Sequence, residues 1–76
     1  MEHIVKVEIA WSEKNYCCGW CFEGIGAVLC TNKTIDGVKR DFEESLRWHI
    51  DSMIEDDEEV PEWLANGEYE IEYTLS

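Results

Sequence analysis

Between Thr34 and Met53 the chain reads TIDGVKRDFEESLRWHIDSM, with apolar residues at helical spacing. At about 100° per residue, Ile35, Val38, Phe42, Ser45, Leu46, His49, Ile50 and Met53 fall on one face. Asp36, Arg40, Glu43, Glu44, Arg47 and Asp51 fall on the other. That pattern predicts an amphipathic helix with a core-facing stripe. Thr34 stands at the N-cap, where its hydroxyl can accept from a free N–H of the first turn, and Asp36 adds a favourable charge there.

The remaining apolar positions alternate with a period of two. His3–Trp11 sets Val5, Val7, Ile9 and Trp11 on one face and Lys6 and Glu8 on the other, as a half-buried strand does. Ser12–Asn15 is a polar turn of hairpin length. Tyr16–Glu23 resumes the alternation, with Tyr16, Cys18, Trp20 and Phe22 on one side. Its other side, Cys17, Gly19, Cys21 and Glu23, is less polar than a solvated face needs to be. Gly24–Ile25–Gly26 is a second turn, Ala27–Thr31 a third strand, and Asn32–Lys33 leads into the helix cap.

After Met53, Val60, Trp63 and Leu64 are expected to return to the core through a short helical turn with Pro61 at its first position. Gly67 then admits a last strand, Glu68–Leu75. Tyr69, Ile71, Tyr73 and Leu75 point inward; Glu68, Glu70, Glu72 and Thr74 point outward. The order is β-β-β-α-β, an α+β domain over residues 1–76. Two hairpins make an antiparallel meander, and a right-handed crossover through the helix lays the last strand parallel to the first. The expected result is a four-stranded mixed sheet, order 3-2-1-4, with the long helix across one face.

Seventy-six residues bury only ~60% of the surface that the unfolded chain exposes, so oligomerisation is a natural supplement to stability. Charge changes the picture more. Eighteen acidic against six basic residues give −12, a surface that repels phosphate backbones and anionic membranes and favours a basic partner. No basic leader or long apolar run follows Met1, so neither signal peptide nor membrane span is expected, and the default location is cytoplasmic. Three of the four cysteines lie within five positions, and nothing points to secretion, so reduced thiols are expected.

Several phrases in this order carry a resemblance. They are Tyr16 opening the second strand, Glu23–Gly24–Ile25 at the next turn, and Thr31–Asn32–Lys33–Thr34–Ile35 entering the helix. Phe42–Glu43–Glu44–Ser45–Leu46, Ile54–Glu55–Asp56, Val60–Pro61 and Gly67–Glu68–Tyr69–Glu70–Ile71 continue it. Together they resemble the N-terminal domain of HicB-type antitoxins over nearly the whole chain. The resemblance implies a partial RNase H-like fold with no catalysis of its own; no cofactor is expected. It also implies a small basic HicA-type toxin, an mRNA-cleaving protein, as partner. Many members add a C-terminal DNA-binding domain. This sequence stops at Ser76, so no direct operator contact is expected of it, and its cysteine cluster departs from the family, where small and polar residues are usual.

Candidate chemistry is sparse. Cys17, Cys21 and Cys30 suggest a zinc site, which needs ligands converging tetrahedrally. In an extended strand Cys18 and Cys21 face opposite ways, so only Cys17 and Cys21 share a side, and Cys30 joins them only if the neighbouring register allows. The plainer reading is buried thiols acting as small hydrophobes, with no metal bound. His49 lies within the apolar stripe with no dyad partner in reach on the helix, so a core histidine is preferred to a general base. An RNase H-type nuclease would need carboxylates converging on metal ions, and the acids here lie on outward phases instead.

Two features stand out as partner contacts. Glu55–Asp56–Asp57–Glu58–Glu59 follows the helix C-terminus, where the macrodipole prefers cations. It is either a solvated loop or a surface for a basic partner; it lacks the EF-hand glycine and ligand spacing for calcium. Trp48 lies off the apolar stripe, as a cover for the sheet edge or an interface anchor. The helix's solvent face looks neutralised by Asp36–Arg40, Arg40–Glu44, Glu43–Arg47 and Arg47–Asp51 at i,i+4 spacing. The functional expectation is a non-catalytic binding module that occludes a small basic toxin, itself a homo-oligomer. The alternative is an orphan structural or regulatory domain that self-associates through sheet edges.

Overall fold

The computed structural model describes residues 3–75. Met1, Glu2 and Ser76, the ends on which the expectations about a leader and an appended domain rest, lie outside the described residues. The elements are β1 (Ile4–Ser12), β2 (Asn15–Phe22), β3 (Gly26–Asn32), α1 (Ile35–Glu55), α2 (Glu62–Ala65) and β4 (Glu70–Leu75). They form a four-stranded mixed sheet in the order β3-β2-β1-β4 with one long helix, as the alternation and turn lengths predict. β1–β2 and β2–β3 are antiparallel; β1–β4 is parallel, from Ile4↔Glu70 to Ile9↔Leu75.

The core lies between the sheet and α1. Val5, Val7 and Ile9 from β1 meet Cys18, Val28 and the helix stripe Val38, Phe42, Leu46, Ile50 and Met53. Burying a side chain of this size contributes roughly 1.5–3 kcal/mol. α2 closes one end of this core, with Leu64 fully buried. Beside it Trp63 stacks on His3 at 4.4 Å and meets Phe22 and Tyr69 edge-on. Ile25, placed in a turn by its flanking glycines, is buried as well.

Thr34 caps α1 as expected: its Oγ1 accepts from the Gly37 N–H at 2.9 Å. Asn32 braces the cap, accepting from the Thr34 N–H and donating to Asp41 at 2.8 Å. The helix runs two residues past its expected end at Met53, to Glu55. Pro61 is the N-cap of α2, not its first residue, because its ψ of 139° is extended. β4 starts at Glu70 because the Glu68 N–H is used earlier, donating to the Trp63 carbonyl at 2.8 Å.

Two positions expected inside are not. Trp11 is 56% and Leu75 63% exposed. Each sits at the far end of its strand, and Trp11 there packs edge-on against Tyr16 at 4.8 Å. Among the described residues no helix is long and apolar enough to cross a membrane.

Candidate functional site: the acidic end of the long helix

α1 and α2 end in the same hydrogen-bond pattern, and the difference between them is informative. In α2 the Gly67 N–H donates to the Leu64 carbonyl and the Glu68 N–H to Trp63. In α1 the Asp57 N–H donates to Ile54 and the Glu58 N–H to Met53 at 2.9 Å. Both are Schellman closures, which demand a left-handed residue just past the cap. α2 supplies Gly67 at φ 72°; α1 supplies Asp57 at φ 59°. Left-handed backbone costs a non-glycine residue roughly 1–2 kcal/mol, less for aspartate, whose short side chain can bond locally. Glu55 is the last helical residue, Asp56 is the cap, and the last turn contains no basic residue. Each acid here opposes the helix dipole by a few tenths of a kcal/mol.

Glu55 through Glu59 are all exposed. Beyond them the chain folds back against the β2–β3 turn and leaves a cleft of about 360 Å³. Glu23, Gly24 and Ile25 line one side; Glu59, Val60 and Pro61 line the other. Carboxylates from two distant parts of the sequence thus flank one small cleft. Glu23 was not singled out by spacing; the signal was its place in the turn that packs under the acidic run.

Trp48 is 72% exposed on the flank of α1, so it leaves most of its indole in water. Glu55 lies seven residues on, two turns and about 10 Å further along the same side of the helix.

The rest of the helix surface is less self-neutralised than expected. Of the four i,i+4 pairs, only Arg47–Asp51 closes among the described residues, at 2.6 Å. Arg40 lies nearest Asp41, at 3.9 Å. Glu43 is taken by another partner: it accepts the Tyr73 hydroxyl at 2.7 Å. Neither ion pair involves the acidic run. The groove beside β4, about 470 Å³ between Glu43, Arg47, Tyr69 and Tyr73, is of mixed charge. Its guanidinium is already held by Asp51 and the Ala65 carbonyl.

The cysteines do not converge. β2 and β3 pair Cys18 with Cys30, Cys17 with Thr31 and Cys21 with Ala27. Directly opposed residues share a face, so Cys30 lies with Cys18 on the helix side while Cys17 and Cys21 face outward. The Cys30 thiol donates to Ser45 Oγ at 3.5 Å and Cys18 lies 3.9 Å from the Val38 carbonyl. Register therefore separates Cys30 from the Cys17–Cys21 pair that a zinc site would need. Among the described residues no three His, Cys, Asp or Glu side chains are placed to hold a metal. All four thiols are free, and burial with the neighbouring thiols pushes Cys18 from 9.0 up to about 11. That thiol is a packed hydrophobe at neutral pH.

His49 is half-buried, its Nε2 2.6 Å from the Ile25 carbonyl. A carbonyl only accepts, so Nε2 carries the hydrogen and donates. The ring pins the β2–β3 turn to the helix. The outward face of the sheet, flagged by its low polarity, holds a shallow apolar hollow where Ala10, Cys17, Gly19 and Leu29 meet.

No protein-family model matches the chain, and no curated protein or solved structure matches it.

Proposed function

We propose that this chain is a non-catalytic binding module that covers and neutralises a small basic protein. In the terms of the sequence resemblance it is a HicB-type antitoxin domain with a partial RNase H-like fold, acting on a HicA-type mRNA-cleaving toxin in the cytoplasm. The observation that carries this reading is the acidic end of α1. There Glu55–Glu59 breaks the dipole rule, Asp57 occupies a glycine position, and Glu59 and Glu23 line opposite sides of one open cleft. Local stability is sacrificed at one place without a local gain, and a cationic partner supplies the gain. The net charge of −12 supports the same reading, because it accelerates encounter with a basic protein.

Affinity capture from native extract at low salt, read by mass spectrometry, should return a small basic protein. Reversing Glu58 and Glu59 to lysine should release it. Capture of no basic protein at low salt sinks the reading. A second reading, an orphan domain that self-associates, draws on a different observation: the uncharged edge strand β3.

A further inference from the structure

The two edges of the sheet are chemically unlike. β4 carries Glu70 and Glu72, both exposed, so two copies meeting there would set carboxylate against carboxylate. β3 reads GAVLCTN and contains no charged residue, in a chain that is 32% charged. Edge strands are ordinarily blunted by charge, proline or a bulge; β3 carries neither charge nor proline.

The two most exposed of the large hydrophobic side chains flank this same edge. Leu29, 77% exposed, lies on the outward face, folded across Gly19 of β2. Trp48 lies on the other side, on the flank of α1 shared by Asp41 and Ser45. That flank faces β3, since Asp41 bonds Asn32 and Ser45 bonds Cys30. A strand added to β3 would cover both side chains together.

We propose that β3 is a self-association edge, on which a second copy of this chain lays its own β3 antiparallel about a two-fold axis through Leu29. A two-fold interface must be self-complementary, and β3 meets that condition. Leu29 is the middle residue of Gly26–Asn32, so it faces its own copy, Val28 faces Cys30, and Ala27 faces Thr31. No like charges oppose one another. Charge selects the occupant: an uncharged strand offers a basic partner nothing. Two chains of −12 pair at least cost where no carboxylate meets a carboxylate. The sheet becomes continuous across both copies, and each Trp48 is carried toward the partner's α1. The β3 strand itself and Leu29 lie apart from the acidic run Glu55–Glu59, with Trp48 adjoining both, and the proposal goes beyond the basic-partner reading.

The test is sedimentation equilibrium of the purified full chain over a concentration series at low and high salt. A monomer–dimer equilibrium is expected that tightens as salt rises, because screening relieves the repulsion between the acidic chains. Binding of a basic partner would move the opposite way, so failure of one proposal is distinguishable from failure of the other. Leu29→Lys sets two ammonium groups opposite each other and should weaken the dimer on the order of tenfold or more. Trp48→Ser, on an exposed helix flank, should weaken it too and guards against misfolding of the strand variant. Glu72→Lys on β4 should leave the Leu29-dependent dimer in place. A monomer at every concentration and salt overturns the proposal, as does a dimer indifferent to both Leu29→Lys and Trp48→Ser.

Discussion

The phenol of Tyr73 donates to the Glu43 carboxylate at 2.7 Å, tying the edge strand β4 to the middle of α1. The ammonium of Lys39 lies 5.0 Å from the centre of the same ring. Tyr73→Phe keeps the ring and removes the bond. It should lower unfolding free energy by about 1 kcal/mol, read from the urea midpoint. An unchanged midpoint would show that the bond contributes nothing net.

Alkaline pH should loosen the fold. Burial, then the Glu43 bond and charge, push Tyr73 upward; burial pushes Tyr69 upward, and Cys18 rises to about 11. Each of these acids is held neutral in the folded state more firmly than in the unfolded chain. Their stabilisation is complete below the unfolded values, near 9.0 for the thiol and 10.0 for the phenols, and is lost as pH climbs through the folded ones. The thermal midpoint should therefore fall between about pH 9 and 11, less steeply in Cys18→Val and Tyr73→Phe. A flat profile over that window contradicts the assignment.

At the end of α1, stability and binding should separate. Asp57→Gly relieves the left-handed residue and should stabilise by about 1 kcal/mol. Glu55→Lys gives the dipole its cation and should add a few tenths of a kcal/mol. Both should raise the thermal midpoint, while Glu55→Lys lowers capture of a basic protein. Were both changes to destabilise, the account of this helix end would fail.

Gly37 inverts the usual rule for glycine in a helix. A Cβ there would lie 2.5 Å from Asn32 Oδ1 and 2.7 Å from Thr34 Oγ1, the two side chains that build the cap. Gly37→Ala gains about 1 kcal/mol of helix propensity but displaces both groups. Net destabilisation of roughly 1–2 kcal/mol is expected from calorimetry, including about 1 kcal/mol for the cap. A stabilised Gly37→Ala would show that the cap shifts without loss.

The architecture was legible because the two hydrophobic periods are cleanly separated. Val5, Val7 and Ile9 keep period two, Val38, Phe42, Leu46 and Ile50 keep helical spacing, and all seven are buried. What escaped depends on neighbours that periodicity cannot see. Trp11 and Leu75 obey the alternation and are still exposed. Arg40 and Glu43 have helical partners at the right spacing, yet Tyr73 from the far strand outcompetes Arg47 for Glu43. Cys30 was separable from Cys17 and Cys21 only once the pairing of β2 with β3 was known, since a one-residue slip reverses the face. At the candidate site, sequence located the acidic run and Trp48. Glu23 entered only because the β2–β3 turn that carries it lines the same cleft as Glu59.

The pairing of β1 with β4 joins strands from opposite ends of the chain. β1 therefore stands with one side unpaired until β4 has been synthesised. Long-range closures of this kind are slow, because loop entropy is lost before any contact repays it. A chain without β4 would bare β1, whose buried Val5, Val7 and Ile9 make a strand able to recruit others. Loss of the six-residue β4 alone would thus turn a central strand into an open edge.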